Sequence, residues 1–76
     1  MKEIFSKRLK SARTLAALSQ DELVEKMGNI VSKNAISKYE KGQMMADSNI
    51  LLALSKALNV KPDYFFRPFT VEIEKV

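Results

Sequence analysis

Signals that start helices and signals that stop them alternate along this chain at short intervals, and the spans between them admit little except short helices. Ser19 stands three residues before Glu22, the pattern in which two side chains reciprocally satisfy the free backbone N–H groups of a helix start. Asp21 is favourable at the positive end of that helix dipole, and Gly28 can end the helix in a left-handed conformation. Ser32 reads as the next N-cap, with Gly42 as the following stop, and Asp47 or Ser48 caps a fourth helix that Asn59 terminates. Upstream, Phe5, Leu9, Ala12 and Ala16 recur on one face of a first helix whose other face carries Lys7, Arg8, Lys10 and Ser11. Downstream, Pro62 suits the first turn of a fifth, very short helix holding Tyr64, Phe65 and Phe66.

The apolar positions agree with these boundaries. Leu23, Val24 and Met27 make the stripe of the second helix. Ala35, Ile36 and Tyr39 are the residues of the third suited to burial, and Ile50, Leu51, Leu54, Ala57 and Leu58 cluster on one side of the fourth. The tail differs, because Phe69, Val71 and Ile73 alternate with Thr70, Glu72 and Glu74 at the period of a strand. Such a strand either frays, pairs with a second copy, or opens a further domain. The expected fold class is therefore all-α, with five helices in a domain over residues 1–66 and an extended or strand tail over 67–76.

Composition narrows the chemistry. The chain has no cysteine and no histidine, which removes disulfides, zinc fingers, thiol nucleophiles and imidazole bases together. With 76 residues it has the size of one small domain and little room for a buried cleft. No acid–base pair, nucleophile or metal site can be assembled from its residues, so neither enzymatic activity nor a cofactor is expected. Its longest apolar run is a few residues, so no membrane span is expected, and Met1 to Lys10 lack the apolar core of a secretory signal. The net charge of +4 lies wholly within residues 1–42, which hold nine basic and five acidic groups. A positive field confined to one half suits an anionic partner, or it is an ordinary solvated surface.

The third helix is the most informative. The second and third helices are short and closely spaced, the arrangement in which the second of a pair can lie in a DNA major groove. Lys33 can donate to guanine O6 and N7, and Asn34 can pair bidentately with adenine N6 and N7. Ser37 and Lys38 follow at spacings that let all four point roughly the same way, and small residues, Ser32 among them, keep the surface low enough to approach base edges. A solvated polar face accounts for the same residues without any partner.

From Phe5 to Phe65 the chain resembles the phage-repressor-like helix-turn-helix family, also called the XRE or Cro type. The matching residues are Phe5, Leu9 and Arg13; then Leu18, Ser19, Gln20 and Leu23; then Ser32, Ile36, Ser37, Glu40 and Gly42; then Leu54, Leu58 and Val60. The resemblance implies a compact five-helix bundle that binds double-stranded DNA as a homodimer on a palindromic operator, and so a cytoplasmic regulator of transcription, a repressor or an activator. It places Ser32, Lys33, Asn34 and Lys38 at base edges or flanking phosphates, with Ser37 more variably used. It assigns phosphate contacts to Gln20, Lys41 and Gln43, the loop after the third helix offering both backbone N–H groups and side chains. Arg13 and Glu40 match a family ion pair that ties the first helix to the third.

The sequence departs from the family at three places. Two extra residues, at Asn29-Ile30, lengthen the turn, so that Ile30 or Val31 should fill the gap between helices. Val24 stands where alanine is preferred, and Ala46 replaces a frequent proline, with Asp47 supplying the cap. Two other readings remain open: an antitoxin or interaction module gripping a partner protein through Phe66, Phe69, Val71 and Ile73, and the DNA-binding part of a longer protein with a fused peptidase-like domain.

Overall fold

A computed structural model of the chain describes residues 2–67. It contains α1 (Lys2–Leu15), α2 (Gln20–Lys26), α3 (Lys33–Glu40), α4 (Ser48–Leu58) and a 3-10 helix at Pro62–Phe66. There are thus four α-helices among the described residues, not five. Pro62 removes a backbone donor and five residues are too few to nucleate an α-helix, so the segment closes by i to i+3 bonds, Tyr64 N–H to Lys61 at 3.0 Å and Arg67 N–H to Tyr64 at 3.3 Å. No strand occurs among the described residues, and the expected strand at Phe69–Ile73 lies outside them, as does nearly all of the 67–76 tail.

The caps form where the side-chain chemistry directs. Ser19 Oγ accepts from Glu22 N–H at 3.0 Å while Glu22 Oε1 accepts from Ser19 N–H at 2.7 Å, closing both halves of the box. Ser32 Oγ accepts from Ala35 N–H at 3.1 Å, and Asp47 Oδ1 accepts from Ile50 N–H at 2.9 Å. Asn59 ends α4 in the left-handed region. The first helix stops earlier than its stripe suggests. Its chain reverses through Ala17 at φ 59°, which turns Ala16 out to solvent instead of onto the apolar face.

One core unites the elements. Phe5, Leu9 and Ala12 from α1 meet Leu23 and Met27 from α2's end, Ile36 and Tyr39 from α3, Leu54 and Leu58 from α4, together with Ala46 and Phe65. Phe5 is at its centre. Its ring lies 5.9 Å from Tyr39 edge-on and 5.7 Å from Phe65, so one residue joins α1, α3 and the 3-10 helix. Ser6 and Ser55 are buried too, and each hydroxyl donates to a carbonyl of its own helix, Glu3 at 2.9 Å and Leu51 at 2.8 Å. The 3-10 helix is latched to α1 from the other side. Tyr64 Oη donates to the Arg8 carbonyl at 3.2 Å, Arg8 Nε donates to the Arg67 carbonyl at 2.8 Å, and the Arg8 guanidinium lies 5.0 Å from the Tyr64 ring centre. No helix among the described residues is long and apolar enough to cross a membrane.

Tyr39 links the core to pH. Burial, and then the Asp47 charge, hold its phenol above the ordinary tyrosine value of 10.0. The folded state therefore keeps a proton that the unfolded chain releases above about pH 10, and stability falls as pH rises through that range. Urea unfolding at pH 9 and pH 11 should show the loss, and a Tyr39→Phe variant should lose less over the same interval. Equal losses in both proteins would rule out Tyr39 as the cause.

Candidate nucleic-acid interface

The unit that matters is α2, a turn, and α3. Gly28 at φ 79° and Asn29 at φ 61° carry the chain away from α2, and this pair of left-handed residues absorbs the lengthened turn. The expected gap-filling falls to one residue. Val31 packs on the core, whereas Ile30 stays 54% exposed beside the start of α3. Val24 also packs partly against the core, and Ala46 is buried ahead of the Asp47 cap.

On α3 the split between faces follows helical spacing. Ile36 and Tyr39 are buried and Ala35 is half-buried, while Lys33, Asn34 and Lys38 are exposed and Ser37 is half-buried. At 3.6 residues per turn Lys33, Ser37, Asn34 and Lys38 span an arc of about 140° opposite the core residues. Ser32 stands just ahead of them, exposed, its oxygen engaged as the cap and its hydroxyl proton available to donate. Four of the five residues read as base-contacting thus occupy one outward surface, with Ser32 at the start of the helix.

At the C-terminal end of α3 lies a charged network. Arg13 Nε donates to Glu40 Oε2 at 2.6 Å and Arg13 Nη2 to Glu40 Oε1 at 3.0 Å, the fork geometry of a strong guanidinium–carboxylate pair. Arg13 Nη1 donates to the Leu18 carbonyl at 2.8 Å, fixing the α1–α2 loop as well. The side chains are 16% and 5% exposed, so the pair is largely withdrawn from solvent. The hydrogen bond to Glu40 raises the Arg13 pKa, burial opposes this, and the Glu40 charge adds to the rise. Arg13 therefore stays charged throughout the usable pH range.

Gln20, assigned by resemblance to a phosphate, also joins this network, its Nε2 donating to Glu40 Oε1 at 3.1 Å. Its amide keeps a second N–H and an acceptor. Lys41 and Gln43 have exposed side chains, but their backbone N–H groups are already used. Lys41 donates to Ser37 at 3.0 Å, Gly42 to Tyr39 at 3.2 Å and Gln43 to Lys38 at 2.9 Å. Phosphate contacts from this loop segment would therefore come from the Lys41 and Gln43 side chains and not from its amides. One partner was not legible in advance: Asp21 Oδ2 lies 3.8 Å from Lys33 Nζ, bringing an acid of α2 against the first residue of α3. Eleven residues of sequence separate them, and only the turn between the helices makes them neighbours.

Comparisons with known proteins agree with this architecture. A family profile described as helix-turn-helix matches residues 9–65. The HTH-type transcriptional regulator ImmR of Bacillus subtilis is 41% identical over 58 residues, covering 76% of this chain and 44% of that protein. A transcriptional regulator in the ATPase CF(0) region of Rhodospirillum rubrum is 39% identical over 59 residues, covering 78% of this chain and 53% of that protein. The chain thus spans about half the length of these curated relatives. Among solved structures, the restriction-modification controller protein C.AhdI of Aeromonas hydrophila superposes with a TM-score of 0.78 at 29% identity, over 86% of this chain and 96% of that one. The hypothetical transcription factor NHTF of Neisseria superposes at 0.85 with 16% identity over 99% of this chain and 84% of that one, a likeness of fold alone. With the profile covering three quarters of its residues and the two-helix unit built as described, the chain belongs to the helix-turn-helix family.

Proposed function

We propose that residues 1–66 form a sequence-specific DNA-binding module of a transcriptional regulator, with α3 reading the major groove. The observation that carries this reading is the outward face of α3, where Lys33, Asn34, Ser37 and Lys38 stand together on a helix tied at its C-terminal end by Arg13, Glu40 and Gln20. The positive half of the chain steers it to DNA, and Gln20, Lys41 and Gln43 anchor it to phosphates through their side chains. Ser32, Lys33, Asn34, Ser37 and Lys38 then sample base edges.

A module this small covers little DNA, so useful specificity calls for two copies on an inverted repeat. Residues 67–76 are the candidate for joining the copies or for leading into a further domain. Occupation of an operator near a promoter would repress transcription by exclusion.

Selection of duplexes from a randomised DNA pool at moderate salt tests the reading. The expected product is an inverted repeat with half-sites about 10 base pairs apart. Half-sites without fixed spacing would mean a monomeric reader, and no enrichment would sink the proposal. On the selected duplex, Asn34→Ala should cost about 1 to 3 kcal/mol and relax preference at one or two positions. Lys41→Ala should instead weaken all duplexes alike and reduce the salt slope by about one. An Asn34→Ala protein with unchanged base preference would move the reading face elsewhere.

A further inference from the structure

Lys33 does not face DNA as a free cation. Its ammonium lies 3.8 Å from the Asp21 carboxylate, with both side chains largely exposed. Asp21 directly follows Gln20, the proposed phosphate anchor and first residue of α2, and its charge stands against the first residue of α3. Taking α3 as the reading helix, an assumption this inference rests on, we propose that Asp21 determines specificity by penalising Lys33 contacts with the phosphate backbone while tolerating its contacts with guanine.

An ammonium group carries three donors. At a guanine, Lys33 can give one N–H to O6 and one to N7 while the third stays directed at Asp21. Both base acceptors are neutral, so this contact of Lys33 itself draws no anion toward the carboxylate. On a non-specific duplex α3 is not seated to hold the same ammonium at a guanine, and it meets mainly phosphates. A phosphate drawn to it comes within a few ångströms of the Asp21 carboxylate, and the two anions repel. The lysine then either stays with Asp21, which removes one phosphate contact, or leaves it and strands a negative charge beside the DNA. Either course weakens non-specific binding, which consists of such contacts and their released counterions. The other acids of α2 do not share this position. Glu22 is engaged in the Ser19 capping box, and no Glu25 contact to α3 is found among the described residues.

The test compares wild type and Asp21→Asn on two duplexes of equal length and composition, one selected from the pool and one scrambled, across a salt series. On the scrambled duplex the variant should bind about three- to tenfold more tightly at low salt, with a salt slope steeper by about one. On the selected duplex its affinity should change by less than about twofold, so the specificity ratio falls. In a Lys33→Ala background, Asp21→Asn should bring a smaller gain on the scrambled duplex, because only the carboxylate's own repulsion of phosphate remains to be relieved. A single acid-to-amide change on an exposed helix turn should leave the melting temperature nearly unchanged, and measuring it separates a folding effect from a binding one. Equal gains on both duplexes, or an undiminished gain without Lys33, would reduce Asp21 to an ordinary surface charge and overturn the inference. Wild type binding neither duplex would overturn the reading of α3 itself, a result distinct from the other two.

Discussion

Replacing Phe5 by alanine should cost about 3 to 5 kcal/mol of folding stability. A chain of this size has a total stability of roughly 4 to 11 kcal/mol, so one side chain accounts for much of it. Phe5 is fully buried, and its ring contacts Tyr39 and Phe65 on two separate elements. Truncation removes the transfer free energy of the ring and leaves a cavity that α1, α3 and the 3-10 helix would all have to move to close. It also removes two aromatic contacts worth about 0.5 to 1.5 kcal/mol each. Urea unfolding followed by circular dichroism measures the loss directly. Leu15→Ala is the comparison, since Leu15 is 83% exposed and its truncation should change stability by less than about 0.5 kcal/mol. A Phe5→Ala protein within about 1 kcal/mol of wild type would show that the three elements are held together elsewhere.

Glu40→Ala should be nearly as damaging, for an electrostatic reason. The carboxylate accepts from Arg13 Nε, Arg13 Nη2 and Gln20 Nε2, so its removal leaves a mostly buried guanidinium with only the Leu18 carbonyl for company. Breaking one side of a buried pair typically costs about 3 to 5 kcal/mol, because the remaining charge is desolvated and uncompensated. The mechanism predicts more than the size of the loss. A double variant, Arg13→Met with Glu40→Leu, strands no charge and should recover a large part of the stability lost in Glu40→Ala. If the double variant were no more stable than the single one, stranded charge could not be the cause. DNA binding should not recover in parallel, since Gln20 and the pose of α3 lose their common anchor in both proteins. Measuring affinity for a selected duplex alongside stability separates the two contributions.

Local chemistry made most of the secondary structure readable. Ser19 with Glu22, Ser32, Asp47 and Asn59 each act on backbone groups within four residues, so no tertiary information is needed to see what they do. The errors fall where local signals compete with the path of the chain. Ala16 continues the apolar spacing of α1, yet the helix ends at Leu15 because the chain must reverse through Ala17 to bring α2 alongside. Ile30 and Val31 are equally apolar, and only the direction of the turn decides that one packs and the other faces solvent.

The candidate site divides in the same way. The outward face of α3 follows from helical periodicity, and Arg13 with Glu40 follows from the family likeness. Neither source could reveal that Gln20 completes their network, or that the amides of Lys41, Gly42 and Gln43 are consumed in closing α3. The sequence by itself thus determined where the capped helices begin and end, most of the residues apolar enough for the core, and which polar residues share a helix face, because each is set by neighbours a turn or less away. The tertiary structure alone decided that Asp21 would meet Lys33, that Gln20 would meet Glu40, and that Phe5 would join three elements. Those contacts depend on how helices are placed against one another, and burial of the common core fixes that placement.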